Sequence, residues 1–206
     1  MILFDSILQQ YGTNEPILSS EISFQDYSRP WIYKQLNQLC DEGKIVRYEK
    51  GIYYIPTQTP FGNSLLNPRK VIERKYISQC GETIGYYAGM IFQNQLQLTT
   101  QMPNVIEIYT NNESTRVRDV YVGKQKVLLR RARTKITAAN ADVLSFLELM
   151  NDLSPDMLDD EKKSIIINFI ADRKITRKDI THYAPVFPDK AMRTLIESEV
   201  IYSVAQ

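Results

Sequence analysis

A chain of 206 residues, 43% hydrophobic and 10% aromatic, is long enough for one ample domain or two small ones and apolar enough to bury a core. That composition excludes a disordered chain, no run approaches eighteen uninterrupted apolar residues, and the opening MILFDSILQQ meets an acid at Asp5, too early for a signal peptide, so a soluble cytoplasmic protein without a membrane partner is expected. The formal charge of +1 conceals a polarised chain: residues 1–57 carry five Lys/Arg against seven Asp/Glu, residues 58–136 twelve against five, and residues 137–206 eight against twelve. A basic middle points to an anionic partner for that middle. Cys40 and Cys80 have neither metal-ligand spacing nor the makings of a disulfide framework, and His182 is the single histidine, so neither a metal nor another cofactor is expected.

In chain order, Leu3, Phe4, Ile7, Leu8 and Tyr11 fall at helical spacing and predict a short amphipathic helix ending at Gly12. Ser19 or Ser20 is placed to cap a second helix of one or two turns. Ser28-Arg29-Pro30 opens a third, with a serine cap and a proline in the first turn, where backbone donors lack partners. Ile32, Leu36, Leu39 and Cys40 then face inward, and Trp31, Lys34, Asn37 and Gln38 occupy the opposite arc. The helix stops at Asp41-Glu42-Gly43, and KIVRYE and GIYYI read as two strands reversing near Glu49-Lys50-Gly51. Three helices and a hairpin form the order of a winged helix-turn-helix, whose third helix enters the major groove of DNA.

Residues 58–67, lying between Pro56 and Pro68 and holding Pro60, Gly62, Asn63 and Asn67, predict a linker. A helix is expected over 69–77 and another from Gly85 to about Leu96. Three β-rich runs follow, Val105–Thr110, Val117–Val122 and Lys126–Arg131, broken by Asn111-Asn112 and Gly123. From Thr137 the period is helical again: Val143, Leu144, Phe146, Leu147, Met150 and Leu153 make one buried face, Ser154-Pro155 starts the next helix, and Thr176 with Asp179 has capping-box spacing. The expected class is α+β: a winged-helix DNA-binding domain at 1–57, a linker at 58–67, a small mixed α/β domain at 68–153, and a helical C-terminal segment at 154–206.

The chemistry these residues offer is binding. Ser28, Arg29, Arg47 and Lys50 are positioned for phosphates together with Lys34, whereas Trp31, Gln35, Asn37 and Gln38 point toward base edges, the amides suiting adenine because they donate and accept at once. The net negative charge of residues 1–57 leaves a second reading open, a winged helix used for protein contacts. The run Arg130-Arg131-Ala132-Arg133, supported by Arg116, Arg118, Lys124 and Lys126, is the densest charge in the chain. It would extend a DNA footprint or grip another polyanion, or it is a solvated sheet edge whose positive side chains deter strand-to-strand aggregation. Asp156, Asp159, Asp160 and Glu161 cluster, but acids at a helix start complement its dipole without an ion. No GxxxxGK[ST], GxGxxG or HExxH motif occurs, and no catalytic residue is found. Gly81, Gly85 and Gly89 fit turns and close packing better than phosphate cradling.

Two stretches resemble a known family. Asn94 to Pro103 (NQLQLTTQMP), followed by VIEIYT and then VYVGKQKVLLRRAR, looks like the second domain of AbiEi-type antitoxins of type IV toxin–antitoxin systems, and Gly51 to Pro56 (GIYYIP) resembles the end of that family's winged helix. The likeness spans about residues 1–150, with Gln97 where a glycine is expected. It implies a transcriptional autorepressor that binds double-stranded repeats in its own promoter, a geometry that leaves room for an oligomer on DNA, and that opposes an AbiEii-type nucleotidyltransferase toxin in phage defence without being an enzyme itself. The alternative is an interaction module that binds a toxin or other partner directly, without specific DNA.

Overall fold

The structure, a computed structural model, describes residues 2–23 and 27–205. The chain is mixed α and β and divides into two compact units, Met1–Arg74 and Lys75–Gln206.

In the first unit α1 (Ile2–Tyr11) buries Leu3 and Ile7 and stops at Gly12, whose φ of 75° is open to glycine at little cost. Ile17–Leu18 is a two-residue strand, β1. The helix expected from Ser19 or Ser20 is absent there: residues 19–21 form a turn, and residues 24–26 lie outside the described residues. Arg29–Asp41 is α2, entered from an extended Ser28 with Pro30 in the first turn, although the serine hydroxyl makes no capping bond. Ile32, Leu36 and Leu39 are buried, and Cys40 is only half-buried. Gly43 (φ 68°) ends the helix, as its N–H donates to the Cys40 carbonyl at 3.0 Å and that of Lys44 to the Leu39 carbonyl at 3.0 Å. The chain returns as the antiparallel hairpin β2 (Val46–Glu49) and β3 (Ile52–Tyr54), turning at Lys50-Gly51 with a register shift between Arg47 and Glu49. β1 pairs with the other edge of β3, Ile17 opposite Tyr53, giving the order β1-β3-β2. Leu3, Ile7, Ile17, Ile32, Leu36 and Tyr53 share one apolar core.

The segment expected to be a linker belongs to this unit. It forms a small hairpin, β4 (Gln58–Thr59) and β5 (Gly62–Asn63), and Leu66 is buried. The Thr57 N–H donates to the Ser64 hydroxyl at 2.9 Å, and the Tyr54 hydroxyl to the Ser64 carbonyl at 3.0 Å. α3 (Pro68–Tyr76) follows, with Lys70 paired to Glu15 and Arg74 to Glu21, and the division into units falls within this helix.

The second unit opens with a hairpin, β6 (Ser78–Gln79) and β7 (Glu82–Thr83), around Cys80 (φ 51°) and Gly81 (φ 81°), the paired positive φ values of a type I′ turn. Gly85–Ala88 is a strand, β8, so the helix expected from Gly85 begins only at Gly89, as α4 (Gly89–Gln95). β9 (Val105–Thr110), β10 (Val117–Val122) and β11 (Gln125–Arg131) complete a four-stranded sheet of order β10-β11-β9-β8, with β9 and β11 parallel and the other pairs antiparallel. α5 (Ala141–Asp152) is buried at every position from Val143 to Met150. After a 3-10 turn at Pro155–Met157 come α6 (Asp160–Asp172), α7 (Arg177–Tyr183) and α8 (Asp189–Glu197), with 3-10 turns at Ala184–Val186 and Val200–Ser203. The capping box of α7 is complete: the Asp179 N–H donates to the Thr176 hydroxyl at 3.2 Å and the Thr176 N–H to the Asp179 carboxylate at 3.0 Å. Tyr86, Ala88 and Tyr109 of the sheet share one core with Phe146 and Leu147 of α5 and with Ile166, Ile180 and Leu195 of the later helices. The stretches 68–153 and 154–206 therefore do not separate into two domains. No helix among the described residues is long and apolar enough to cross a membrane.

Candidate functional site

Two surfaces carry the residues singled out in the sequence, one in each unit. In the first, burying Ile32, Leu36 and Leu39 turns Lys34, Asn37 and Gln38 outward on α2, because positions two residues from the buried stripe fall on the far side of a 3.6-residue turn. Lys34 and Asn37 are exposed and carry no side-chain partner among the described residues; the Gln38 amide donates to Glu42 at 2.9 Å. Gln35 is half-buried, and Trp31, also half-buried, stacks on Tyr27 with ring centroids 3.9 Å apart. Ser28, Arg47 and Lys50 are exposed, the last two on β2 and at the hairpin turn. Arg29 has a different occupation. Its guanidinium donates to the carbonyls of Ser19 at 2.9 Å, Ser20 at 2.8 Å and Ile22 at 3.3 Å, clasping the turn before α2.

In the second unit the basic run is paired in an ordered way. On one face of the sheet Tyr86 and Ala88 of β8 stand beside Tyr109 and Glu107 of β9, and Arg130 of β11 stands beside Tyr109. The Arg130 Nε–H donates to the Glu107 carboxylate. Burial opposes charge on Arg130, but the adjacent Glu107 carboxylate raises its pKa above the ordinary guanidinium value. Past the end of β11, Arg133 grips Glu148 of α5 with two bonds, Nε–H to Oε2 at 2.8 Å and Nη2–H to Oε1 at 3.1 Å. Glu148 is buried, and also accepts from the Tyr109 hydroxyl at 2.9 Å and the Asn151 amide at 3.3 Å, which spreads its charge over three donors. The Glu148 hydrogen bonds hold the Arg133 guanidinium more firmly protonated than usual, while burial and then the Glu148 charge push the Tyr109 hydroxyl well up. Arg133 also lies over the rings of Tyr109 at 5.8 Å and Phe187 at 5.0 Å.

Beside this network lies a cavity of about 320 Å³ bounded by Tyr109, Arg116, Arg130, Arg131, Arg133 and Val186. Arg116 and Arg131 are exposed and carry no side-chain partner among the described residues. The neighbouring basic residues are paired elsewhere, Arg118 with Glu113 and Lys126 with Asp119, both at 2.7 Å. A further acid, Asp152 at the end of α5, has its carboxyl pushed up to about 6, first by desolvation and then by Glu148 and Glu107. Because the residue as a whole is exposed, water relieves part of the desolvation and the two carboxylates are the more durable cause.

Sequence reasoning singles out the arginines but misses Glu107, Glu148, Tyr109 and Asp152. The signal available for Glu148 is a charge amid consecutive apolar helix positions, LSFLELM, where a period argument demands an apolar side chain. Asp159 serves as the cap of α6, accepting from the Lys162 N–H at 2.9 Å, and among the described residues no three His, Cys, Asp or Glu side chains converge as a metal site. Gly89 (φ 61°) lies so close to Glu107 that an added Cβ would stand 2.7 Å from its carboxylate oxygen, so this glycine makes room for the acid that holds Arg130.

Compared with known protein families, the chain matches DUF6088, a family of unknown function, over residues 17–180. The chain belongs to that family. No curated protein matches it.

Proposed function

Starting from this member of DUF6088, we propose a DNA-binding repressor whose first unit is a winged helix reading double-stranded DNA in its own promoter, and which acts as the antitoxin to a nucleotidyltransferase toxin. The observation that carries the DNA reading is the outward row Lys34, Asn37 and Gln38 on α2, followed at once by a hairpin bearing Arg47 and Lys50. A helix with amides and a lysine on its free face suits the major groove, and a hairpin with cations suits the adjoining phosphates. Ser28 and Lys34 are the phosphate contacts of the helix, with Asn37 and Gln38 toward base edges. Arg29 acts through the clasp that sets the start of α2. In the second unit Arg131, which has no carboxylate partner, is free to meet a backbone phosphate. The antitoxin role rests on the likeness of residues 51–56 and 94–133 to AbiEi-type proteins and adds no catalytic residue.

The test is a fluorescence-anisotropy titration of the whole protein against its upstream promoter DNA and a scrambled duplex at two salt concentrations. Preference for the promoter, lost in Asn37→Ala, supports groove reading. Equal affinity for both duplexes, or no binding, removes it, and a stoichiometric protein partner retained after nuclease and high salt would instead favour an interaction module.

A further inference from the structure

The arginine cavity is built differently from a surface that merely repels its neighbours or skims a duplex. Arg133 offers Nε and one Nη2 hydrogen to Glu148, and Arg130 offers Nε to Glu107, so each carboxylate fixes a fork from behind and leaves the far N–H groups unused. Arg116 and Arg131 add two guanidinium groups without any carboxylate, so two of the four arginines on the wall have no ion-pair partner among the described residues. About 320 Å³ is at the small end of the roughly 300–1,000 Å³ typical of ligand pockets, too narrow for a duplex but larger than one phosphoryl group. Val186, 39% exposed at the rim, supplies an apolar seat beside the charge.

We propose that this cavity is a receptor for a phosphate monoester, the phosphoryl group lying among Arg116, Arg130, Arg131 and Arg133 and the organic portion resting against Val186. A monoester carries about −1.5 to −2 at pH 7, which suits two unpaired guanidinium groups, whereas an internal phosphodiester carries a single charge. Arginine forks already oriented by carboxylates bind such an oxyanion with little further ordering. The chemistry is shared by a free mononucleotide and by the 5′-phosphorylated end of a strand. The proposal uses the arginines of the second unit and does not depend on operator reading by α2.

Titration calorimetry on the full chain, with AMP, adenosine, and a short single-stranded oligonucleotide bearing either a 5′-phosphate or a 5′-hydroxyl, separates the cases. AMP is expected to bind at least tenfold tighter than adenosine, and the phosphorylated oligonucleotide tighter than its hydroxyl form if strand ends also enter. Binding of AMP without that second preference identifies a free nucleotide as the source, and the reverse identifies the strand end. Arg116→Gln and Arg131→Gln, which strand no buried acid, should each weaken the preferred phosphate ligand at least fivefold. Lys124→Gln, an equal charge change on an exposed turn lysine outside the cavity, should leave it unchanged. Equal affinity for AMP and adenosine together with no preference for the 5′-phosphate, equal losses in Lys124→Gln and Arg131→Gln, or no binding of any probe at millimolar concentration would overturn the proposal.

Discussion

Two polar groups around the Glu148 network each cost stability, one at every pH and the other only where it is ionised. The Tyr86 hydroxyl is buried without a protein hydrogen-bond partner, although its ring stacks on Tyr109 at 5.3 Å. Burial, and then the Glu148 charge, push its pKa well up, so it remains a neutral donor with nothing to donate to. Removing an orphaned hydroxyl while keeping the ring should help: Tyr86→Phe is expected to stabilise the protein by about 1 kcal/mol, seen as a higher denaturant midpoint at unchanged slope. A lower midpoint would mean that the hydroxyl has a partner such as bound water. Asp152 works by pH. Its carboxyl is raised from 3.8 to about 6 in the folded chain, so the folded state binds its proton more tightly than the unfolded one. The associated stability is fully present below about pH 4 and is lost as pH rises through 6. With the discount that its exposure requires, Asp152→Asn should gain about 1 kcal/mol at pH 7.5 and little at pH 4, where the wild-type acid is itself neutral. The groups that set this balance are Glu148 on the same helix, Glu107 and Arg130 on the sheet, and Lys190 of α8. Thermal unfolding at the two pH values reads the difference directly, and an equal gain at both would remove Asp152 ionisation as the cause.

At the scale of elements, the structure separates what periodicity can reveal from what it cannot. α2 is legible because Ile32, Leu36 and Leu39 repeat at helical spacing before a glycine, and α7 because Thr176 and Asp179 sit three apart. β1 is not, since two residues carry no period and Ile17 finds its place only opposite Tyr53. Gly85–Ala88 reads as helix because GYYAGMIF is a continuous apolar run, which fits a buried strand as well as a helix. Here the tertiary context decides: a Cβ on Gly85 would lie 2.0 Å from the Tyr76 carbonyl oxygen and 2.7 Å from that of Tyr109, a closeness only glycine permits. The candidate site is half legible for a related reason. Arginine runs stand out in a sequence, whereas Glu107 and Glu148 matter through partners 23 and 15 residues away. One local feature can be corrected by substitution. Gln97, at a position where the antitoxin resemblance leads to a glycine, holds φ 64° after α4, with the next N–H, of Leu98, bonded back to the Gln93 carbonyl at 2.9 Å. Left-handed backbone costs a residue with a Cβ about 1 kcal/mol, so Gln97→Gly should raise stability by roughly that amount in chemical denaturation. No gain would show that the side chain offsets the strain through contacts of its own.

For the whole molecule, a net charge of +1 is a poor guide to how the protein meets a polyanion, because much of the basic middle is spent internally. Arg118, Lys126, Arg130 and Arg133 each face a carboxylate, and Lys70 and Arg74 are paired as well. Among the cations proposed to meet DNA phosphates, Lys34, Arg47 and Lys50 in the first unit and Arg131 in the second are exposed and without side-chain partners among the described residues. Counterion release makes the logarithm of affinity fall linearly with the logarithm of salt, by about 0.9 for each phosphate neutralised. If α2 and its hairpin make the contacts, Lys34→Ala and Lys50→Ala should each reduce that slope by about 1, and the double variant by about 2. Asn37→Ala should instead lower promoter preference while leaving the slope intact, since an amide on a base edge releases no counterion. Lys124→Ala serves as the comparison, because it removes one exposed charge from a turn that neither proposed site uses. An equal slope change in Lys124→Ala and Lys34→Ala would mean that DNA responds to the overall field of the protein, and the assignment of α2 as the reading helix would fall with it.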